Sequence, residues 1–353
     1  MTKPHTNDGD QSPPKRKRQS MLDMARGLAT KTSATVPVAG MPGSSEKTDF
    51  ATLPAYKEMR RHRAVADVMG VENPFFRLHE GRSGATCTID GRTYDNFISY
   101  DYVGLNGSPE VNAAAKAAID LYGTSVSASR PTAGDRPLHR AFERALADHY
   151  ETDDALCFVS GHGTNVSVIG ELLDQGDLIV FDALSHNSIV LGTRLTQAAR
   201  RTFPHNDVKA LDRLLTECRH QYNRVLIVVE GLYSMDGDVA PLPELVEIKR
   251  RHAAWLMVDE AHSIGVLGRT GRGLFEHFEM PPGVVDIWMG TLSKTLSASG
   301  GYICGCQALI DNLKFTASAF MFSVGISPPV VAAAHAALDK LHAEPERVAR
   351  LHE

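Results

Sequence analysis

Four stretches of this 353-residue chain hold side chains able to do chemistry, and they follow one another in a fixed order. The first, Ser160-Gly161-His162-Gly163-Thr164-Asn165, is a glycine-rich turn that opens a helical pattern. Such a turn offers unpaired backbone N–H groups and the positive end of a helix dipole to an anion. The second, Ser185-His186, places an imidazole just after an apolar run. The third, Trp255-Leu-Met-Val-Asp259-Glu260-Ala261-His262, delivers a carboxylate at the end of an apolar run, with a histidine three residues on. The fourth, Met289-Gly290-Thr291-Leu292-Ser293-Lys294, sets two hydroxyls shortly before a lysine, a pattern suited to a bound phosphate. Each alone has a structural use: an ordinary strand-to-helix turn, a satisfied loop histidine, an acid capping the next turn, an exposed loop lysine. Single short motifs do not separate these uses from function.

The four together do. A phosphate takes N–H and hydroxyl donors, and an aromatic ring takes a flat side chain above it. A pyridine nitrogen takes a carboxylate that keeps it protonated, and an aldehyde takes an amine. Pyridoxal 5′-phosphate (PLP) asks for all four. Lys294 is therefore read as the residue that holds the cofactor as a Schiff base, and Asp259 as the partner of its ring nitrogen.

These stretches need a scaffold, and the pattern supplies one. Short apolar runs at 156–159, Leu178–Asp182, Val225–Glu230, Trp255–Asp259 and 287–289 each end in a polar or glycine-containing turn, with helical patterns at 208–222 and 242–252 between them. Apolar runs without alternation suit strands buried on both faces, hence an α/β fold with a mostly parallel sheet covered by helices. Ligands in such folds sit beyond the carboxyl ends of the strands, where all four stretches fall. A helix is predicted over 137–150, with Asp135 as its cap, Pro137 in its first turn and Leu138, Phe142 and Leu146 on one face. Strands are predicted at 85–89 and 93–97. Residues 328–341 read as a helix with Val331, Ala334, His335, Leu338 and Leu341 on one side.

Composition narrows the partners. The formal charge of 37 − 42 = −5 gives no sign of a nucleic-acid partner. The five cysteines are scattered, and Cys304 and Cys306 do not have zinc-ribbon spacing, so reduced thiols and no metal site are expected. No apolar run is long enough to span a bilayer and no secretory h-region opens the chain, which points to a cytoplasmic protein. Residues 1–50 are rich in Pro, Ser, Thr and charge, including Lys15-Arg16-Lys17-Arg18, and read as a disordered tail or linker.

From about Tyr56 onward the chain resembles the α-oxoamine synthase family of fold-type I PLP enzymes. The resemblance rests on Asp101-Tyr-Val-Gly104, Ser129-Arg130 with Leu138-His139, Ser160-Gly-His-Gly163-Thr-Asn165, Ser185-His186, Glu230-Gly-Leu-Tyr-Ser234-Met-Asp236-Gly-Asp238, Asp259-Glu-Ala-His262, Gly268-Arg-Thr-Gly271-Arg-Gly273 and Gly290-Thr-Leu-Ser-Lys294. It implies that Lys294 also acts as base at the substrate's α-carbon and that His186 stacks on the ring. It places His262 and Ser234 near the phenolic oxygen. Thr291, with the N–H groups of Gly161 and His162, would bind phosphate, and Ser323 would reach the phosphate of a homodimer partner. The implied reaction joins an amino acid to an acyl thioester, carried by CoA or an acyl carrier protein, with loss of carbon dioxide. Another fold-type I reaction such as transamination, or a catalytically weak partner subunit, are the alternatives; an NAD-binding module is disfavoured because no G-x-G-x-x-G follows the first strand.

The domains expected are an arm and small-domain part at 51–105, a large PLP-binding domain at 106–322, and at 323–353 the start of a C-terminal domain that is largely missing. The resemblance puts an arginine that grips the substrate carboxylate in that domain. Arg130 is the first candidate to replace it, and the apolar side of 328–341 is expected to pack against the missing part.

Overall fold

The computed structural model describes residues 48–353. The tail or linker expected over 1–50 lies, as far as residue 47, outside the described residues. The described residues divide into two compact units, 48–77 and 78–353. In the first, the helix Pro54–Val68 opens with proline in its first turn and buries none of its side chains. Among the described residues no helix is long and apolar enough to cross a membrane.

The second unit begins with a small antiparallel sheet of β1 (His79–Glu80), β2 (Thr86–Ile89) and β3 (Arg92–Asp95). Its main sheet has seven strands: β4 (Asp154–Phe158), β5 (Leu178–Asp182), β6 (Ala199–Phe203), β7 (Val225–Glu230), β8 (Trp255–Asp259), β9 (Ile287–Thr291) and β10 (Gly301–Gly305). They lie in the order β4-β10-β9-β8-β7-β5-β6. β9, β8, β7, β5 and β6 are parallel, whereas β10 runs antiparallel to both its neighbours. The sheet is mostly parallel and covered by helices, as the unbroken apolar runs require.

Alternate residues of each central strand enter two separate cores, which is why these strands read as unbroken apolar runs. Cys157, Val180, Ile227, Val258, Trp288 and Tyr302 face one side, with Phe142 and Leu146 of the helix Pro137–His149 packed on them. Phe158, Ile179, Val228, Met257, Met289 and Ile303 face the other, against Val168 and Ile169 of the helix Gly161–Leu172 and Ile310 and Leu313 of the helix Gln307–Thr316. Each such side chain stabilises the fold by about 1.5–3 kcal/mol of apolar burial.

The structure corrects several expectations. Asp135 does not cap the helix Pro137–His149. Arg136 holds the cap position and its N–H donates to His139 Nδ1 at 3.0 Å, while Asp135 Oδ1 accepts from Arg130 Nε at 3.0 Å. The helix expected over 208–222 ends at Cys218 and tightens into a 3-10 turn, Arg219–Gln221. There the Arg219 guanidinium is drawn to the carbonyls of Tyr222 and His252, both at 2.6 Å. The strand expected at 93–97 ends at Asp95, which frees Phe97 to leave the sheet. The apolar side of the helix Pro328–Ala343 is not left for a missing part: Val331, Ala334, Leu338 and Leu341 are buried in this chain's own core, with the helices Pro109–Tyr122 and Pro137–His149 as neighbours.

Candidate active site

A cavity of about 550 Å³ opens at the carboxyl ends of β7, β8 and β9, beside the N-terminus of the helix Gly161–Leu172. Gly161, His162, His186, Ser234, Asp259, His262, Thr291 and Lys294 all line it, so eight residues chosen from sequence converge on one space. Ser323 does not line it; it lies just past the short helix Ser318–Met321.

Asp259 is the last residue of β8, and buried. Its Oδ2 accepts from Asn165 Nδ2 at 2.7 Å and its Oδ1 from Ala261 N at 2.9 Å. No cation stands within ion-pair distance of it among the described residues. A buried carboxylate without a counter-charge is costly, so the arrangement asks for a cationic or N–H-bearing ligand. Asn165 carries the network on: Nδ2 also donates to Ser188 Oγ at 3.0 Å, which leaves the Ser188 hydroxyl to donate to His186 Nδ1 at 2.7 Å. The acid under the pocket and the imidazole beside it are therefore oriented by one chain of hydrogen bonds. Asn165 Oδ1 is buried without a partner.

Lys294 is half-buried, and its Nζ lies 5.7 Å from the centre of the Tyr100 ring. Burial pushes its pKa below the usual lysine range, against an opposing pull from Asp259 and Glu230. Glu230 ends β7 and accepts from His186 N at 2.6 Å; burial and the nearby Asp259 raise its carboxyl to about 8. His262 is lowered to about 4 by burial and by Lys294 and His186, and is thus neutral at pH 7. Burial raises the pKa of Tyr102, whose hydroxyl oxygen lies 2.8 Å from His262 Nδ1 and holds the imidazole in place. Burial likewise lowers His186, whose Nδ1 accepts from Ser188.

Another group of lining residues suits an anion. Ser160 caps the helix Gly161–Leu172, its Oγ accepting from Gly163 N at 3.2 Å, so the N–H groups of Gly161 and His162 precede the first intrahelical bonds. Gly161 is seated so tightly that an added Cβ would lie 2.5 Å from Thr291 Oγ1 and 2.9 Å from Thr291 Cβ. The Thr291 hydroxyl donates to Gly300 O at 3.0 Å and lies 2.9 Å from Ser293 Oγ, which also lines the cavity. With the Thr291 proton on Gly300 O, the Ser293 hydroxyl is the donor between the two, and it is the one able to turn toward a ligand.

The candidate arginine is elsewhere. Arg130 is buried; its guanidinium pairs with both oxygens of Glu143, itself buried, and with Asp135 Oδ1 at 2.8 Å. It holds the Ser129 loop to the helix Pro137–His149 and does not line the cavity. Sequence reasoning passed over Tyr100, Glu230, Ser188 and Ser293 as pocket residues, although three lie in or beside stretches already singled out. The missing signal for Tyr100 was distance: it precedes the first of the four chemical stretches by sixty positions and reaches the site only through the fold.

An α/β transferase fold with a lysine, an unpaired buried acid and a helix N-terminus around one cavity defines a PLP-enzyme class. Comparison with known proteins agrees. Residues 94–353 match the family aminotransferase class I and II. The chain is 44% identical over 262 residues to 8-amino-7-oxononanoate synthase of Treponema denticola, covering 74% of this chain and 66% of the relative. It is 44% identical over 263 residues to the same enzyme of Geobacter sulfurreducens, covering 74% and 67%. Among solved structures, the serine palmitoyltransferase of Sphingomonas wittichii superposes with a TM-score of 0.79 at 34% identity, covering 83% of this chain and 73% of that one. The S. paucimobilis serine palmitoyltransferase, solved with PLP and myriocin bound, gives 0.81 at 32%, covering 86% and 78%. The chain belongs to the aminotransferase class I and II family, in its PLP-dependent α-oxoamine synthase branch. It spans about two thirds of the length of the curated relatives it matches.

Proposed function

We propose that this chain forms the cofactor-binding part of an enzyme that condenses an amino acid with an acyl thioester, releasing carbon dioxide and an α-aminoketone. The observation that carries the reading is Asp259, a buried carboxylate that makes no ion pair among the described residues, facing the same cavity as Lys294 and a free helix N-terminus. The donor set fits PLP: N–H groups and Ser293 for phosphate, Asp259 for the ring nitrogen, Lys294 for the aldehyde. When bound, PLP supplies an electron sink for the charge left as a bond at the amino acid's α-carbon breaks.

The chain's residues divide the remaining work. Lys294, its pKa lowered by burial, would hold the cofactor through Nζ, and the same Nζ is assigned to take the α-proton. Asp259 keeps a proton on the ring nitrogen, and the Asn165 amide fixes the carboxylate's orientation. His186 offers a flat neutral face, held by Ser188 and by its own N–H to Glu230. His262, neutral at pH 7, and Ser234 are assigned to the cofactor's phenolic oxygen. Gly161, His162, Thr291 and Ser293 surround the phosphate, Thr291 mainly by setting Ser293. Ser323, away from this cavity, is assigned to the phosphate of a partner in a homodimer.

The test has two arms. PLP-loaded protein is reduced with borohydride and digested, and the pyridoxyl group is expected on Lys294. The loaded protein is then given single amino acids with an acyl thioester, and carbon dioxide and free thiol are measured together. Label on another lysine overturns the site. Transfer of the amino group to a keto acid without carbon dioxide release overturns the reaction.

A further inference from the structure

Behind the pocket wall, one histidine joins two loops. His205 Nδ1 lies 2.8 Å from Asp182 Oδ1, and its Nε2 lies 2.6 Å from Asp238 Oδ2. Asp182 ends β5 and is buried; it also accepts from Leu184 N and Asn206 N, each at 2.8 Å, and so ties down the turn that leads to His186. Asp238 closes the loop 231–238, which carries Ser234 and Met235 to the cavity. Asn206 Nδ2 reinforces the same junction by donating to Asp238 Oδ2 at 3.0 Å and to Val239 O at 3.3 Å.

We propose that His205 is a positioning residue that fastens the loop 231–238 to the ends of β5 and β6, so that Ser234 and Met235 are held at the cavity most firmly while both ring nitrogens carry protons. Two carboxylates can be bridged by one imidazole only when each nitrogen donates. In the neutral ring one nitrogen becomes an acceptor and faces a carboxylate oxygen. The groups around the ring are Asp182 from β5, Asp238 and Tyr233 from the loop, and Asn206 from its own turn; the Tyr233 ring meets it edge-on with centroids 4.5 Å apart. Burial opposes the charge, but the two carboxylates outweigh it and raise the His205 pKa. The fastening is thus complete at low pH and is lost as pH rises through that raised value. The inference concerns the cavity wall and stands apart from the reaction proposed above.

The experiment is hydrogen exchange, followed by mass spectrometry and corrected for intrinsic rates, on the full chain without PLP. Wild type, His205→Gln and Asp238→Asn are compared as pH is raised from about 6 to about 9, across the range of a stabilised imidazolium. In wild type, exchange in residues 231–240 is expected to rise about tenfold with pH, the effect of losing one charge-assisted hydrogen bond. In both variants it is fast throughout and nearly independent of pH, while peptides from β7 and β8 stay protected. If His205→Gln does not fold, Asp238→Asn, which changes a partly exposed carboxylate, carries the comparison. A wild-type loop whose protection ignores pH overturns the proposal. So do variants that protect the loop as wild type does, or that loosen β7 and β8 equally. Because neither PLP nor turnover enters the readout, failure here leaves the proposed reaction untouched, and the converse holds.

Discussion

Asp259→Asn separates what this residue does for the fold from what it does for the cofactor. Without PLP the carboxylate has two hydrogen bonds, from Asn165 Nδ2 at 2.7 Å and Ala261 N at 2.9 Å. An asparagine of the same shape keeps its oxygen toward Ala261 and turns its NH₂ toward Asn165. Asn165 can answer by rotating its amide half a turn, because its Oδ1 has no partner to lose. The rearrangement gives up the bond to Ser188 and moves Nδ2 to the buried place where Oδ1 had no partner, together about 1–3 kcal/mol, and against this it removes a buried charge whose desolvation works against folding by a comparable amount. The cofactor-free variant is expected to unfold within about 1 kcal/mol of wild type. The loaded form differs. A charge-assisted hydrogen bond to the ring nitrogen contributes about 1.5–3 kcal/mol, so PLP affinity should fall about 10–100-fold. By mass action, a fixed excess of PLP then adds about 1.5–3 kcal/mol less stability. At about 2–4 °C per kcal/mol for a domain of this size, the PLP-induced rise in Tm shrinks by about 3–12 °C. Thermal unfolding of both proteins, with and without PLP, reads both quantities at once. A variant that keeps the full PLP shift, or one that loses several kcal/mol without cofactor, would refute the reasoning.

Three further outcomes follow from the geometry. Gly161→Ala pushes a Cβ into Thr291, so it should cost about 1–3 kcal/mol by overpacking and, by displacing the Gly161 N–H, weaken PLP at least about tenfold in equilibrium dialysis; unchanged affinity would remove the helix N-terminus from the phosphate site. Arg130→Ala strands Glu143 as a buried charge and should cost about 3–5 kcal/mol in urea unfolding, whereas an amino-acid KM that changes without any loss of stability would return Arg130 to a substrate role. Burial lifts the Glu260 carboxyl from its ordinary 4.5 to about 8. The fold therefore favours its protonated form, and that contribution is full below about 4.5 and is lost as pH rises toward 8. Wild-type Tm should accordingly fall relative to Glu260→Gln between those pH values, and parallel pH profiles of the two proteins would show that Glu260 does not titrate there.

Much of the site was legible because its residues sit at strand ends, and strand ends are marked locally. β5, β7 and β8 were placed to the residue by apolar runs that stop at Asp182, Glu230 and Asp259. Buried on both faces, these strands cannot admit a polar residue before their carboxyl ends, so sequence alone fixes where chemistry begins. The lysine, the acid, the histidines and the glycine turn were read from the same boundaries. β6 and β10 went unread for the converse reason. β6 runs Ala-Arg-Arg-Thr-Phe at the sheet edge, where arginines are tolerated on an exposed strand, and β10 opens and closes with glycine, which reads as a turn. Pairing across the sheet could be decided only by the fold. So could the destination of each polar group: nothing near Arg130 in sequence marks Glu143 as its partner, and nothing near Tyr100 marks Lys294 as its neighbour. A buried charge is satisfied by whatever the tertiary structure brings within about 3 Å, and residues far apart in the chain meet there without leaving a local pattern. Residue type and strand ends determined which chemistry this chain carries, and long-range packing determined which side chains were left free to perform it.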